Sequence, residues 1–199
     1  MYQTQYHRPT SLAEAARLFS EGDGEGKYLS GGMTLLPTMK ARLASPSALV
    51  DLRHIEELKG ISVDGRRVRI GAGTTHYELS RSREVEALCP TVTHLAELIG
   101  DPAVRHMGTM GGVVANFDPA ADYPAMLLAL GGTIHTNTRE VGADDYFLGL
   151  FETALEEGEI VTAVSFDAPS AAGWEKFRNP ASRYAMAAVF VARRDDGSV

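Results

Sequence analysis

Two separated glycine pairs constrain this chain more than any other feature. The first lies in Tyr28-Leu29-Ser30-Gly31-Gly32-Met33-Thr34-Leu35-Leu36, the second in Gly108-Thr109-Met110-Gly111-Gly112-Val113-Val114-Ala115-Asn116. Each leaves a short apolar run and has a hydroxyl residue close by. Glycine carries no Cβ, so such turns let bare backbone N–H groups approach an anion. One pair alone reads more readily as a tight turn. Two of them, with the carboxylate of Asp122 downstream, read as one extended ligand gripped at two places, and a dinucleotide with a central pyrophosphate has that form. Ser30 and Thr34 flank the first pair, and a helix starting at once would aim its first amides at phosphate. Thr109 offers a hydroxyl donor, and Asp122 an acceptor for ribose hydroxyls or an adenine amine.

The surrounding pattern mixes helix and strand. Ser11 and Glu14 form an expected capping box ahead of a helical face of Leu12, Ala15, Ala16 and Phe19. A short strand at Tyr28 and Leu29 leads into the first glycine pair. Helices are expected over 35–43, with Thr34 as cap, and over 77–88, 91–99 and 123–130, the last ended by Gly131-Gly132. Strands are expected at 48–52, 61–63 and 68–70 (joined by the hairpin signal Asp64-Gly65), 132–138, 159–166 and 184–193. The texture changes after Leu58. This predicts an α+β fold with a small α/β lobe over 1–58, a larger α+β lobe over 59–175, and the start of a further unit over 176–199. The last strand runs into Asp195-Asp196-Gly197, a hairpin turn with no returning strand, so the reading expects an unpaired strand and a truncated end.

Composition removes several function classes. A net charge of -7 argues against nucleic acid or an anionic membrane as the main partner. The single cysteine, Cys89, excludes internal disulfides and any iron–sulfur cluster or Cys-rich zinc site held by this chain alone. The N-terminal stretch lacks the apolar core of a signal peptide, and no apolar run reaches membrane-span length, so a cytoplasmic location is the default expectation. Gly71-Ala72-Gly73-Thr74-Thr75-His76 approaches a Rossmann fingerprint but has histidine at the third glycine, and reads as a strand end. The acidic Gly22–Gly26 stretch would repel phosphate. The histidines show no metal-ligand spacing, no serine sits in a nucleophile elbow, and no acid–base pair stands out. The expected catalytic set and metal set are both empty.

The motifs themselves resemble a known family. Ser30-Gly31-Gly32-Met33-Thr34-Leu35-Leu36-Pro37 is similar to the first FAD motif of the FAD-binding medium subunit of the xanthine dehydrogenase and aerobic carbon monoxide dehydrogenase family. Thr109-Met110-Gly111-Gly112 resembles the second, and Asp118-Pro119-Ala120-Ala121-Asp122-Tyr123-Pro124 its tail. Phe147–Leu155 and Lys176–Ala185 resemble the carbon monoxide dehydrogenase type in particular. The resemblance implies the two-lobed FAD-binding fold shared with vanillyl-alcohol oxidase, and a medium subunit cut short at its C-terminal domain. It implies that Ser30, Gly31, Gly32, Met33, Thr34 and Leu35, with Thr109, Met110, Gly111, Gly112 and Val113, hold the FAD pyrophosphate. Asp122 is then expected at the adenosine half, Ile99 and Val161 as apolar packing, and Lys176 and Tyr184 near the flavin end. Met33 and Val113 depart from the family's frequent His or Asn and Asn, each losing a side-chain hydrogen bond. The implied function is electron transfer in a molybdenum hydroxylase. Electrons would pass from [2Fe–2S] clusters of a small subunit through FAD to NAD or a quinone, with a molybdenum-cofactor large subunit alongside, in a dimer of heterotrimers. A free-standing FAD-dependent oxidoreductase of the same fold, or a non-redox scaffold that has lost the cofactor, are the alternatives.

Overall fold

The computed structural model describes residues 1–22, 24–194 and 197–199. The small lobe holds β1 (Gln5–His7), α1 (Leu12–Ser20), β2 (Lys27–Leu29), α2 (Leu35–Lys40) and β3 (Ala48–Asp51). Its strands form a parallel sheet in the order β1-β3-β2, with every residue of the central strand β3 buried. Such burial on both faces explains the apolar run Ala48-Leu49-Val50 ahead of Asp51. Ser11 caps α1 through the Glu14 amide at 3.2 Å, but the Glu14 carboxylate bonds the Thr10 amide at 2.9 Å, so the expected box closes one residue early. Thr34 makes no side-chain cap on α2, whose helix ends at Lys40, short of the expected 43. Beyond it Arg42 takes a left-handed φ of 61°, which breaks the helix.

Buried Ile55 and Leu58 pin the connection between the lobes into the core. The second lobe opens with the hairpin β4 (Ile61–Asp64) and β5 (Arg67–Gly71), paired as the Asp64-Gly65 signal indicates. The helices α3 (His76–Ser80), α4 (Arg83–Leu88), α5 (Pro90–Glu97), α6 (Pro102–Met107), α7 (Met110–Asn116) and α8 (Tyr123–Ala129) follow. The helix expected over 77–88 is two pieces, because Ser82 starts a new one by accepting from the Val85 amide at 3.3 Å. Next come β6 (Thr133–Thr136), β7 (Glu140–Gly142), α9 (Ala143–Tyr146), β8 (Phe147–Gly149), β9 (Glu152–Thr153) and β10 (Val161–Asp167). An antiparallel sheet in the order β4-β5-β10-β6-β7 carries α7 on one face, and one continuous core runs from Val50 through Ile70 and Val164 to Met110 and Leu127.

The chain closes with β11 (Ala171–Arg178) and β12 (Ala185–Arg193). The expectation of an unpaired last strand is wrong: β12 pairs antiparallel with β11 from Arg193↔Ala171 to Ala185↔Arg178. β11 escaped the sequence reading because Ala171-Ala172-Gly173 lacks β-branched residues and its pattern does not alternate cleanly. β11 also runs across the expected boundary at 175/176. Asp195 and Asp196 of the proposed terminal turn, and Asp23 of the acidic loop, lie outside the described residues. On the outer face of this hairpin Phe177, Val189 and Val191 are exposed.

Candidate functional site

Between the lobes lies a cavity of about 650 Å³. The loop after β2 forms one wall, the Thr109–Asn116 segment the other, and β11 with the β11–β12 connection closes one side. Of the residues expected at a site, Ser30, Gly31, Gly32, Met33, Thr34, Leu35, Ile99, Thr109, Gly111, Gly112, Val113, Asp122, Val161, Lys176 and Tyr184 all line it. Met110 does not. Its side chain is 1% exposed and packs in the core under α7.

The two glycine pairs prove to be different devices. In the first, Gly32 adopts a φ of 71°, a conformation that only glycine holds without strain. Among the described residues the amides of Gly31, Gly32, Met33 and Thr34 donate no hydrogen bond to another group of the protein. Successive unpaired N–H groups around a left-handed glycine form an anion-binding concavity. Gly31 also permits the lobes to meet, since a Cβ there would stand 2.0 Å from the Met107 carbonyl oxygen.

The second pair is not a turn but the first turn of α7. Thr109 is the N-cap, its hydroxyl accepting from the Gly112 amide at 3.1 Å, and the Gly111 amide donates to the Ala72 carbonyl at 2.8 Å. These donors are therefore spent within the protein. Gly111 is small because a Cβ would lie 2.5 Å from Ala72 Cβ. At Gly112 a Cβ would meet only Thr109 Oγ1, at 3.0 Å, so this glycine keeps the cavity floor open. The motifs join where Ser30 Oγ and Thr109 Oγ1 share a hydrogen bond of 2.9 Å.

Asp122 and Lys176, assigned by resemblance to opposite ends of a cofactor, lie together. Lys176 Nζ donates to Asp122 Oδ2 at 2.6 Å, with the side chains 2% and 4% exposed. Burial pushes the Asp122 carboxyl up, and the adjacent Lys176 ammonium opposes that shift. Asp122 Oδ1 is buried with no partner in the protein. Leaving a carboxylate oxygen so costs about 1–3 kcal/mol, which a ligand hydroxyl or amine donor would relieve. Tyr184 is half-exposed at the mouth, and burial raises its hydroxyl above the usual range.

The cavity also has walls that sequence reasoning passed over. His76, read only as a departure from a glycine fingerprint, is 3% exposed and lines it. Its Nδ1 lies 3.0 Å from the Tyr123 hydroxyl, and burial, with Arg105 nearby, holds the ring down to about pKa 4. His76 is therefore neutral at neutral pH. The Thr75–Glu78 capping box that begins α3 was the legible signal for its placement. Glu159 also lines the cavity and is 8% exposed, held by Arg139 at 3.0 Å and by the Thr136 and Thr138 hydroxyls. Tyr28 stacks on Phe19 at 4.6 Å and donates to the Gly158 carbonyl at 2.9 Å, a second link between the lobes.

An unpartnered amide cradle, an orphaned buried carboxylate oxygen and an open floor at Gly112 fit a phosphate-bearing ligand with hydroxyl donors. The comparisons with known proteins agree with that chemistry. The family described as the FAD binding domain in molybdopterin dehydrogenase matches residues 2–169. The carbon monoxide dehydrogenase medium chain of Afipia carboxidovorans is 41% identical over 94% of this chain and 67% of its own length. The glyceraldehyde dehydrogenase medium chain of Sulfolobus acidocaldarius is 36% identical, over 97% of this chain and 70% of its own. The structure of carbon monoxide dehydrogenase from Hydrogenophaga pseudoflava superposes with a TM-score of 0.89 at 37% identity, covering 94% of this chain and 68% of that one. Among the described residues no helix is long and apolar enough to cross a membrane.

Proposed function

The chain belongs to the FAD-binding family of molybdopterin dehydrogenases, oxidoreductase subunits of a two-lobed α+β fold, and from that premise we propose how this member works. The reading is an FAD-carrying electron-transfer subunit, with residues 1–58 and 59–175 as its two cofactor-binding lobes. The observation that carries it is one cavity lined both by Gly31 to Thr34, whose amides are bare, and by Asp122, whose Oδ1 is buried without a partner. FAD, when bound, accepts electrons singly and delivers them in pairs.

The chain's own residues bind and orient. The Gly31–Thr34 amides would hold the pyrophosphate, assisted by whichever of the Ser30 and Thr109 hydroxyls accepts in their shared bond and so keeps its own proton free. Asp122 would accept from a cofactor hydroxyl, while Lys176 pairs with its Oδ2. Ile99 and Val161 supply apolar walls that exclude water, and neutral His76 adds no charge beside them. No residue of the cavity is needed as a general acid or base. Electrons then come from [2Fe–2S] clusters of a small partner subunit that serves a molybdenum-cofactor subunit. They leave to NAD or a quinone, and the assembly is a dimer of heterotrimers in the cytoplasm.

The test is anaerobic reduction followed at the flavin band. The FAD-loaded chain alone should stay oxidised with any organic substrate and should bleach only with both partner subunits present. Rapid substrate-driven bleaching of the lone chain would favour a free-standing oxidoreductase instead.

A further inference from the structure

The Phe147–Leu155 motif is not absorbed by the cofactor cavity. β8 and β9 pair as Phe147↔Thr153 and Gly149↔Glu152, leaving Leu150-Phe151 as the connection. Tight connections of this length ordinarily use Asn-Gly or another glycine pair. Here both positions carry large apolar side chains, and Phe151 is held at a left-handed φ of 55°. Leu148, Leu150 and Phe151 are 59%, 78% and 62% exposed. A scattered exposed leucine means little, but a clustered apolar tip on a strained turn marks an interaction site.

The tip is rigidly rooted. Phe147 packs on Phe117 with centroids 4.5 Å apart and the rings tilted by 38°, and meets the Tyr146 ring edge-on at 5.0 Å. Phe117 follows α7, and Leu155 at the far end of the motif lines the cavity. A partner seated on the tip is therefore mechanically close to the cofactor site. The charged residues flanking the tip in the chain, from Asp144 to Glu157, are all acidic. Asp144 and Asp145 on α9, Glu152 on β9, and Glu156 and Glu157 just beyond are all exposed. The neighbouring cation, Arg139, is engaged by Glu159 at 3.0 Å and Glu156 at 3.5 Å.

We propose that the Leu148–Leu150–Phe151 tip is a docking knob for a partner subunit presenting an apolar socket ringed by lysine and arginine. The existence of such a subunit rests on the function proposed above. The acidic rim selects the occupant. It repels anionic lipid, and it repels a second copy of the same tip. A basic-rimmed protein is attracted and steered into register, and a knob of this size suits the small interfaces of electron-transfer complexes.

The test uses the FAD-loaded chain and its immobilised partner subunits, purified together, with binding followed by interferometry. Leu150→Asp and Phe151→Asp place a charge in the socket, and Leu43→Asp, at an 81% exposed leucine elsewhere, is the control. Each tip variant should weaken association at least tenfold, with FAD content and melting temperature unchanged, and Leu43→Asp should bind as the parent does. Added salt should weaken the parent. Tip variants that bind like the parent, or a control weakened equally, would overturn the proposal. Loss of association through the tip in both FAD-loaded and FAD-free chain would support the knob even if the cofactor reading failed.

Discussion

Replacing Gly111 and Gly112 separately with alanine should give opposite defects, although the residues are neighbours in one motif. At Gly111 the new methyl would stand 2.5 Å from Ala72 Cβ and 3.0 Å from Ala72 Cα and carbonyl oxygen. Most of that obstacle is backbone, so α7 itself must shift from the segment that follows β5. Overpacking of this kind costs about 1–3 kcal/mol. Alanine's better helix propensity returns up to ~1 kcal/mol. A net loss of about 1–2 kcal/mol in a chain of this length lowers the melting temperature by roughly 2–8 °C. At Gly112 the methyl meets only Thr109 Oγ1, at 3.0 Å, and otherwise enters the cavity. There the helix gain offsets the single contact, so the melting temperature of the FAD-free chain should hold. FAD affinity should fall at least tenfold, about 1.4 kcal/mol. Thermal unfolding by circular dichroism of the FAD-free proteins, with calorimetric FAD titration, separates the two. If Gly112→Ala melts as low as Gly111→Ala, or binds FAD as the parent does, the division of labour argued for α7 is wrong.

Thr109→Val should lose the cap on α7 and the Ser30 link together, lowering stability by about 0.5–2 kcal/mol in denaturant titration, while Thr109→Ser retains both. Lys176→Met leaves the buried Asp122 carboxylate unpaired and should cost about 3–5 kcal/mol; adding Asp122→Asn should recover much of that in the same titration. His76 sets an acid-side slope. Its folded-state pKa, about 4, lies below the ordinary 6.5, so as pH falls between these values the unfolded chain takes up a proton that the fold excludes. The His76 contribution should therefore drop by up to ~3 kcal/mol from pH 6.5 to 4, and His76→Phe should flatten that limb in melts across the range. A parent melt that is flat over this interval would contradict the buried, neutral His76.

Much of this was legible in the sequence because its signals are local. The Asp64-Gly65 hairpin, the apolar run at β3 and the Gly131-Gly132 stop each follow from a few adjacent residues. The first glycine pair likewise announces its conformation, since Gly32 needs positive φ. The rest depends on contacts distant in the chain. Gly111 and Gly112 look alike in sequence, and only the approach of Ala72 and the Thr109 hydroxyl shows that their amides are spent. The Asp122–Lys176 pair joins residues on α8's threshold and β11, and no periodicity could bring them together. β12 seemed unpaired because β11 hides its strand character behind alanine and glycine. His76 was weighed as a missing glycine when its place is a buried wall tied to Tyr123.

The central claim is that the Gly31–Thr34 amides hold a pyrophosphate, the group that distinguishes FAD from FMN. Calorimetric titration of the FAD-free chain with each nucleotide tests this most directly. FAD should bind at least a hundredfold more tightly than FMN. Equal affinity for FAD and FMN would contradict the account.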